Sequence, residues 1–265
     1  MLDLLLSETP FAVVDVETTG LHPQSGDRVC EIAVVRCVGD VEVERFDCLI
    51  DPRRPLSRGA AGVNGLSDRQ LRGQPRFEEV APRVMPLLTD AVLVAHNAPF
   101  DLRFLDAELM RLGQGPLTNP CVDTLELARG VYRLPSYSLP NLASRLGLYV
   151  NGAHRALADA LTTRRLLARL IRDSGARRLS DLAPNVGPAP ANATLPDPLA
   201  RALRERRRLH LRYQSSDGLT ERWVEPLAVQ TRQSALYLVA YCHLRQERRT
   251  FRLDRIVVMR LEGEE

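Results

Sequence analysis

The stretch FAVVDVETTGL, residues 11–21, decides the fold of the N-terminal part of the chain. Its apolar start, Phe11–Val16, predicts a buried strand that ends in acids. Asp15 and Glu17 stand two positions apart, and the alternation of a strand puts both side chains on one face. Two carboxylates on one face repel each other unless a proton or a cation lies between them. A solvated strand end is the alternative, and the apolar residues around the pair favour a buried site.

Two further acids and one histidine stand beside other apolar runs. Asp101 begins a predicted helix that ends near residue 112 and follows the apolar strand Ala91–Ala95. Taken alone, Asp101 is also the kind of carboxylate that a helix N-terminus favours. His154 and Asp159 are five residues apart, about 140° around a helix axis, so they face one cleft only if His154 precedes the helix. A solvated histidine near a helix cap is the alternative for His154.

Four carboxylates and one imidazole supply what the hydrolysis of a phosphodiester requires. Carboxylates are hard oxygen ligands, which select Mg²⁺ or Mn²⁺ over softer metals. An imidazole takes a proton from water near neutral pH. The sequence therefore predicts a metal-dependent hydrolytic site.

The other patterns of the N-terminal region predict both strands and helices. Val29–Val38 and Val41–Ile50 flank the turn residues Gly39 and Asp40, which indicates a hairpin. The helical spacing of apolar residues predicts further helices at Phe77–Leu88, Thr124–Arg129, Leu139–Leu146 and His154–Ile171.

Composition and charge suggest two domains. The chain has 265 residues and a formal net charge of +3, and residues 195–265 carry 14 Arg against 10 Asp and Glu. Five prolines between residues 184 and 198 predict an extended linker. We therefore expect domains at 1–175 and 199–265, joined by a linker at 176–198. Five cysteines without metal spacing, and no run long enough to span a membrane, predict a cytoplasmic protein with free thiols and no membrane partner.

The C-terminal region predicts a short helix followed by strands, in a small bent sheet or barrel. The helix is expected at Leu199–Leu209, and the strands at Leu211–Gln214, Arg222–Leu227, Ala235–Cys242 and Thr250–Val258. Aromatic residues and arginines interleave along these strands, a pattern that suits stacked bases and phosphates. Core packing is the alternative and is favoured for the aromatic residues, whereas nucleic-acid contact is favoured for Arg252 and Arg255.

The order and spacing of Asp15, Glu17, Asp101, His154 and Asp159 resemble the DEDDh 3′–5′ exonucleases, the family of polymerase proofreading subunits and RNase T. The resemblance covers about residues 8–172 and includes ETTGL at 17–21, GVNGL at 62–66 and DTLELAR at 123–129. It implies an α/β ribonuclease H-like fold, a mixed sheet with flanking helices. It also implies two divalent cations, Mg²⁺ or Mn²⁺, held by Asp15, Glu17, Asp101 and Asp159, with Glu17 and His154 as catalytic residues.

The same resemblance implies a site for the last nucleotide of a strand. Its residues would be Thr18, Gly20, Leu21, Asn64, His96, Asn97 and Phe100. Asn64 stands where many relatives carry a histidine, and Phe100 is equally compatible with core packing. The implied activity is release of nucleoside monophosphates from the 3′ end of single-stranded DNA, or of RNA, in replication or repair. The alternatives are a regulator with a nuclease fold that does not cut, and an oligoribonuclease or RNA-trimming enzyme.

A second resemblance concerns the C-terminal region. WVEPL at 223–227, LYLVAYC at 236–242 and TFRLDRI at 250–256 resemble a WYL domain, with Leu236 in place of the Trp that gives the family its name. This implies a small β-rich, SH3-like domain of the kind found in bacterial regulators, which binds nucleic acid or a nucleotide. Tyr237, Arg252 and Arg255 are the expected nucleic-acid contacts. A polymerase or repair partner is left open.

Overall fold

The computed structural model describes residues 4–148, 155–182, 187–188, 195–215, 218–232 and 235–264. The chain divides into two compact units, Met1–Leu182 and Ala183–Glu265, here called the first and the second unit. The linker expected at 176–198 stays a prediction. Its described residues include a 3₁₀ turn at Leu179–Leu182, whose two leucines are buried in the first unit.

A five-stranded mixed sheet forms the centre of the first unit. The strands are β1 (Pro10–Thr18), β2 (Val29–Val38), β3 (Val41–Leu49), β4 (Val92–Ala95) and β5 (Cys121–Asp123). Their order across the sheet is β3-β2-β1-β4-β5. β1 pairs antiparallel with β2 and parallel with β4. The strand that carries Asp15 and Glu17 therefore lies at the middle of the sheet.

Seven helices accompany this sheet in the described part of the first unit. They are α1 (Arg58–Asn64), α2 (Asp68–Leu71), α3 (Phe77–Leu88), α4 (Ala98–Arg111), α5 (Thr124–Val131), α6 (Leu139–Leu146) and α7 (Ala156–Ser174). The observed α3 and α6 have the bounds that apolar spacing predicts. α4 begins three residues before the predicted start, because Pro99 is tolerated in the first turn of a helix.

Alternating residues of β1 pack on opposite faces of the sheet. Phe11 and Val13 belong to the core that includes apolar residues of α7. Ala12, Val14 and Val16 belong to the core that includes residues of α3 and α4. Full burial of one large apolar side chain stabilises a fold by roughly 1.5–3 kcal/mol, so both faces hold this strand in place. By the same alternation, Asp15 and Glu17 share the face of Val13, which α7 covers.

The second unit is a β-rich unit built on an antiparallel sheet. It contains β6 (Gly187–Pro188), α8 (Asp197–Glu205), β7 (Leu209–Ser215), β8 (Gly218–Arg232), β9 (Ala235–Cys242), β10 (Glu247–Arg252) and β11 (Ile256–Leu261). The order is β10-β9-β8-β7-β11, and β6 pairs with β8. The single strand predicted at Thr250–Val258 is wrong, because a 3₁₀ turn at Leu253–Arg255 divides it into two strands.

The β-rich architecture expected for the second unit is confirmed, as is the mixed α/β architecture of the first. All five cysteines lie in the described residues, none of them forms a disulfide bond there, and three are buried. Within the described residues, no helix has both the length and the apolar character needed to span a bilayer. The cytoplasmic location stays a prediction.

Candidate metal centre

Three of the predicted metal ligands converge where β1 ends and α7 begins. Oxygen atoms of Asp15, Glu17 and Asp159 all lie within 4.8 Å of one another. Asp15 and Glu17 come from one face of β1, and Asp159 comes from the first turn of α7, which packs on that face. Each of the three side chains is half-buried. The cluster is therefore held by two regular elements and stays open to solvent on one side.

Asp101 reaches the same place from the other side of the sheet. It lies in the first turn of α4, is almost fully buried, and its Oδ1 accepts a hydrogen bond of 3.1 Å from the backbone N–H of Val16. Val16 stands between Asp15 and Glu17, so this bond fixes Asp101 beside them. The four acids expected as metal ligands are thus neighbours, although only three of them form the tight cluster.

The electrostatics of the cluster favour a bound cation. Burial, reinforced by Asp101, Asp159 and Glu17, raises the pKa of Asp15 well above its usual range. Burial and the charges of Asp159 and Glu31 raise the pKa of Glu17 to about 8. Burial also raises the pKa of Asp101 to about 8. Carboxylates with such neighbours stay charged at neutral pH only when positive charge enters the site.

Sequence reasoning missed one residue of this centre, Glu31. It lies opposite Glu17 in the β1–β2 pairing and is 2% exposed. Its Oε1 accepts hydrogen bonds from Nε and Nη2 of Arg155 at 3.0 and 2.7 Å, and its Oε2 accepts one from the N–H of Ala156 at 3.2 Å. All its strong contacts therefore lead to the start of α7. An acid two residues after Val29 within a predicted strand was the available signal.

His154, the predicted general base, lies outside the described residues. The next residue, Arg155, caps α7 and is described. The structure therefore defines the anchor on one side of His154, and the role of His154 stays a prediction.

The loop after β1 holds three residues of the predicted nucleotide site. Thr18 is buried and donates a hydrogen bond to the carbonyl of Gly20, whereas Leu21 is 62% exposed beside them. Asp27 organises this loop, since its carboxylate accepts hydrogen bonds from the Thr19 hydroxyl at 3.2 Å and from the His22 N–H at 3.0 Å. The loop thus exposes the apolar side chain of Leu21, and the hydrogen bonds to Asp27 hold the backbone on both sides of it.

Two other residues expected at the nucleotide site use their polar atoms inside the protein. Asn64 is buried, accepts a hydrogen bond from the N–H of Leu66 and contacts the carbonyl of Thr18 at 3.5 Å. The His96 ring contacts the Thr124 hydroxyl at 2.9 Å through Nδ1 and the Tyr137 carbonyl at 2.8 Å through Nε2. Burial lowers the pKa of His96. Both side chains therefore hold neighbouring segments in place in this structure.

The last two residues of the predicted site stand at the start of α4. Asn97 is exposed, has a left-handed backbone with φ of 68°, and donates its N–H to the carboxylate of Asp123 at 3.0 Å. Phe100 is half-buried against the core, and the guanidinium of Arg103 lies 4.9 Å from its ring centre. Arg103 also donates to the carbonyl of Leu21 at 3.0 Å. It thereby joins α4 to the loop that carries Leu21.

The predicted contacts of the second unit lie in β9, at the end of β10 and in the 3₁₀ turn that follows β10. Tyr237 is opposite Arg252 in the β9–β10 pairing, and Arg252 forms an ion pair of 2.8 Å with Asp254. Arg255 is exposed. Tyr241 and Phe251 are buried, as expected for residues that pack in the core. Trp223 is 42% exposed and does not fit that expectation. Contact of Tyr237, Arg252 and Arg255 with nucleic acid stays a prediction.

Comparison with models of protein families shows to which family this chain belongs. The model of the family described as Exonuclease, RNase_T, matches residues 12–167, which is more than half of the chain. This chain belongs to the exonuclease family. The model of the WYL domain matches residues 195–261. The first unit is therefore an exonuclease domain, and the second contains a WYL domain, as both resemblances implied.

Named relatives align with the exonuclease domain. The PolC-type DNA polymerase III of Halalkalibacterium halodurans is 38% identical over 173 residues, which cover 65% of this chain and 12% of that protein. A DNA polymerase III subunit epsilon-like protein of Rhodobacter capsulatus is 38% identical over 185 residues, which cover 66% of this chain and 26% of that protein. The chain thus spans about an eighth and about a quarter of these two relatives.

Solved structures share the exonuclease fold. Exonuclease X, solved in complex with 5′ overhanging duplex DNA, superposes with a TM-score of 0.53 and 27% identity, covering 65% of this chain and 98% of that one. Exonuclease I of E. coli, solved with a dT13 oligonucleotide, superposes with a TM-score of 0.59 and 20% identity, covering 87% of this chain and 55% of that one. At that identity the second likeness concerns the fold alone.

Proposed function

We propose that the exonuclease domain removes nucleoside monophosphates from the 3′ end of single-stranded DNA, with two divalent cations, Mg²⁺ or Mn²⁺. The convergence of Asp15, Glu17 and Asp159 within 4.8 Å carries this proposal. Carboxylate oxygens in this number are the donor set that hard divalent cations prefer. The raised pKa of each of Asp15 and Glu17 supports the fit, since bound positive charge relieves the repulsion that raises it.

The residues of the chain have separate tasks in this proposal. Asp15, Glu17, Asp101 and Asp159 would hold the cations. When bound, the cations neutralise the charge that develops on the attacking and leaving oxygens of the phosphodiester. His154 would take the proton of the attacking water. Glu31 and Arg155 would position the start of α7, and with it Asp159.

The exposed side chains beside the acids suit the end of a strand. Leu21 is exposed on the loop after β1, and Phe100 is half-exposed at the start of α4. Arg103 links the two, because it covers the Phe100 ring and donates to the Leu21 carbonyl. An apolar side chain and an aromatic ring on one supported rim can sandwich a base without reading its sequence.

The preference for DNA rests on the relatives. The two relatives described above carry DNA polymerase names, and Exonuclease X was solved with DNA at 27% identity. A role in replication or repair follows from the same names and is part of the proposal. The regulator that does not cut is disfavoured, because a fold that had lost catalysis would not need four acids at one place. RNA is the competing substrate.

Strand degradation by the purified full chain tests the proposal. A single-stranded DNA of 30 nucleotides labelled at its 5′ end, incubated with Mg²⁺ or Mn²⁺, should give a ladder of labelled products that shorten with time. Chelation of the cations should stop the reaction. Early release of a labelled mononucleotide would instead mean 5′–3′ polarity. A matched RNA strand that is degraded faster would make RNA the substrate, and no degradation of either strand would reject the enzymatic proposal.

A further inference from the structure

The segment between β3 and α3 carries a local excess of positive charge. Residues 51–76 contain six arginines and two acids, although residues 1–175 as a whole carry more acidic than basic residues. Both acids of the segment are used to build it. Asp51 accepts hydrogen bonds from the N–H groups of Arg53 at 2.9 Å and Gly73 at 3.3 Å, and Asp68 accepts one from Leu56 at 2.8 Å. Backbone amides therefore engage both carboxylates. The hydrogen bond from the N–H of Arg53 lowers the pKa of Asp51, and the charge of the Arg53 guanidinium adds to this.

Two of the six arginines in this segment form ion pairs within the described part of the chain. Arg54 pairs with Asp27 at 3.1 Å, and Arg76 pairs with Glu78 at 3.6 Å. Within the described part of the chain, the remaining four form no ion pair and all are exposed: Arg53, Arg58, Arg69 and Arg72. Guanidinium groups in this state are available to an external anion.

Two of these arginines line a concave surface. A cleft of about 420 Å³ is bounded by residues 51–55, Asp68, Leu71 and Arg72, and we call it the arginine cleft. Burial and a backbone hydrogen bond hold its walls in place. Pro52 and Leu71 are buried, and the N–H of Asp51 donates to the carbonyl of Pro75 at 3.0 Å. Positive charge on a fixed concave wall costs little reorganisation when a phosphate enters.

The arginine cleft borders the loop that leaves the acidic centre. Arg54 lies in the wall of the cleft, and its partner Asp27 holds Thr19, two residues beyond Glu17. The N–H of Ser57 also donates to the carbonyl of Thr19 at 2.9 Å. A polyanion whose end lies at the acids therefore finds unpaired arginines on this side of the centre.

We propose that the arginine cleft binds the sugar–phosphate backbone of the nucleic-acid strand, several nucleotides away from the bond that is cut. This inference rests on the proposed function, because it assumes a strand whose end lies at the acidic centre. Its sequence tolerance follows from the chemistry, since guanidinium groups contact phosphates that every nucleotide carries. An acidic protein segment would fit the same charges, and it is one of the outcomes of the test.

Binding in chelator separates this inference from catalysis. The full chain would be titrated onto a fluorescent single-stranded DNA of 30 nucleotides at several salt concentrations, with EDTA present. Arg53→Gln with Arg72→Gln should lower the slope of log affinity against log salt by about 1.4, since each contact to a single strand contributes about 0.7. Arg172→Gln with Arg177→Gln is the matched control, because both arginines are exposed near the far end of α7 and form no ion pair among the described residues.

Cleavage provides the second readout. The ratio of kcat/KM on the strand of 30 nucleotides to kcat/KM on a trinucleotide should fall on the order of tenfold in the cleft variant and stay constant in the control. Arg53→Lys with Arg72→Lys keeps the charges and should recover most of the loss. If the wild type cuts neither substrate, the proposed function fails. The slope of log affinity against log salt still tests whether the arginine cleft binds DNA, because it is measured without catalysis. Equal slopes for the cleft variant and its control overturn the inference and leave an acidic protein as the occupant to test.

Discussion

At the scale of single residues, the main feature of the acidic centre is that the fold places several carboxylates close together. Besides burial, the charges of Asp101, Asp159, Glu17 and Glu31 raise the pKa of Asp15, whereas the Arg155 guanidinium lowers that of Glu17. Such a cluster in an apolar strand does not stabilise the fold, because burial disfavours the charged form of each carboxylate. We therefore interpret the cluster as part of the proposed cation site, because bound cations would remove the electrostatic cost of these charges.

Substitution of Asp15 tests this directly. Asp15→Asn keeps the shape of the side chain but removes one charge and one ligand, so turnover should fall by about 10³-fold or more. The metal-free variant should melt roughly 2–4 °C higher at pH 8, the change that about 1 kcal/mol brings about in a unit of 150–250 residues. Steady-state cleavage and calorimetry measure the two effects. Turnover within a few-fold of the wild type would remove Asp15 from the mechanism.

The pH dependence of stability follows from the same charges. Burial raises the pKa of Glu17 and of Asp101 to about 8, so the folded metal-free protein binds more protons than the unfolded chain, whose carboxyl groups titrate near pH 4. Between about pH 4 and pH 8 this cluster therefore makes stability fall as pH rises. Melting curves in chelator should show a steeper decline for the wild type than for Asp15→Asn. Excess Mn²⁺ at pH 8 should reverse the decline, because it binds the folded state. Parallel pH profiles for both proteins would contradict the assignment.

At the scale of elements, the start of α7 is the part that must be positioned. Asp159 belongs to its first turn, and the pair between Glu31 and Arg155 ties that turn to β2. Glu31 lies beside the proposed metal ligands, yet its oxygens are used by Arg155 and by the N–H of Ala156. The pair thus engages a fifth carboxylate that the proposed cation site does not use, and it sets where α7 begins.

Arg155→Met tests how much the pair of Glu31 and Arg155 contributes to stability and to activity. The change leaves Glu31 buried without its partner, which costs about 1–2 kcal/mol of unfolding free energy, because Arg155 is 48% exposed and solvent screens the pair. Activity should fall about 10–100-fold, the usual loss when a group that orients a metal ligand is removed. Arg155→Met combined with Glu31→Gln should regain part of the stability but not the activity. Isothermal titration with Mn²⁺ distinguishes the two roles, since a purely structural pair would leave the affinity for Mn²⁺ unchanged.

The loop after β1 depends on one glycine. A Cβ atom on Gly20 would overlap with the carboxylate of Asp27, which holds the loop through Thr19 and His22. Gly20→Ala should therefore destabilise the domain by about 1–3 kcal/mol and lower kcat/KM, because Leu21 moves with the loop. Gly62→Ala is the matched control, since no atom lies within 4 Å of its Cβ position in α1 and alanine favours a helix. Equal stability of the two variants would show that the loop adapts.

At the scale of the whole molecule, two units of different type share one chain. The exonuclease domain extends through Leu182, because Leu179 and Leu182 are buried in its core and the N–H of Leu6 donates to the carbonyl of Arg177. The WYL domain has a separate core that includes Leu199, Leu238 and Phe251. Each unit therefore has the apolar interior that an independent fold requires.

Removal of residues 183–265 tests whether the WYL domain holds the substrate. If it does, the ratio of kcat/KM on a long strand to that on a dinucleotide should fall, because a tethered binding site raises the local concentration of strand. Arg252→Ala with Arg255→Ala in the full chain should reproduce part of the loss and reduce the salt dependence. Arg201→Ala is a control, since it pairs with Glu264 on the surface of the same unit. An unchanged ratio and salt slope would assign the WYL domain to sensing or to a protein partner.

Much of this architecture could be predicted from local patterns. Apolar spacing located α3 and α6 to the residue and β1, β2 and β3 within one or two residues, because these elements bury regular faces. Short elements escaped prediction. α2 has four residues and β5 has three, and neither is long enough to develop a period. The division of β10 from β11 also escaped, because a 3₁₀ turn leaves the apolar pattern unbroken.

The sequence by itself determined the donor groups on which the proposed chemistry depends. The types and order of Asp15, Glu17, Asp101 and Asp159 are local facts, and their ligand character does not depend on the fold. Only the tertiary structure decided which polar side chains remain free for a ligand. His96 and Asn64 form hydrogen bonds with neighbouring segments, and Glu31 pairs with Arg155. Arg53 and Arg72 line a cleft and form no ion pair with any residue that the structure describes. The physical reason is that hydrogen-bond partners come from residues distant in the chain, and no local pattern records which distant groups the packing of the sheet and helices brings into contact.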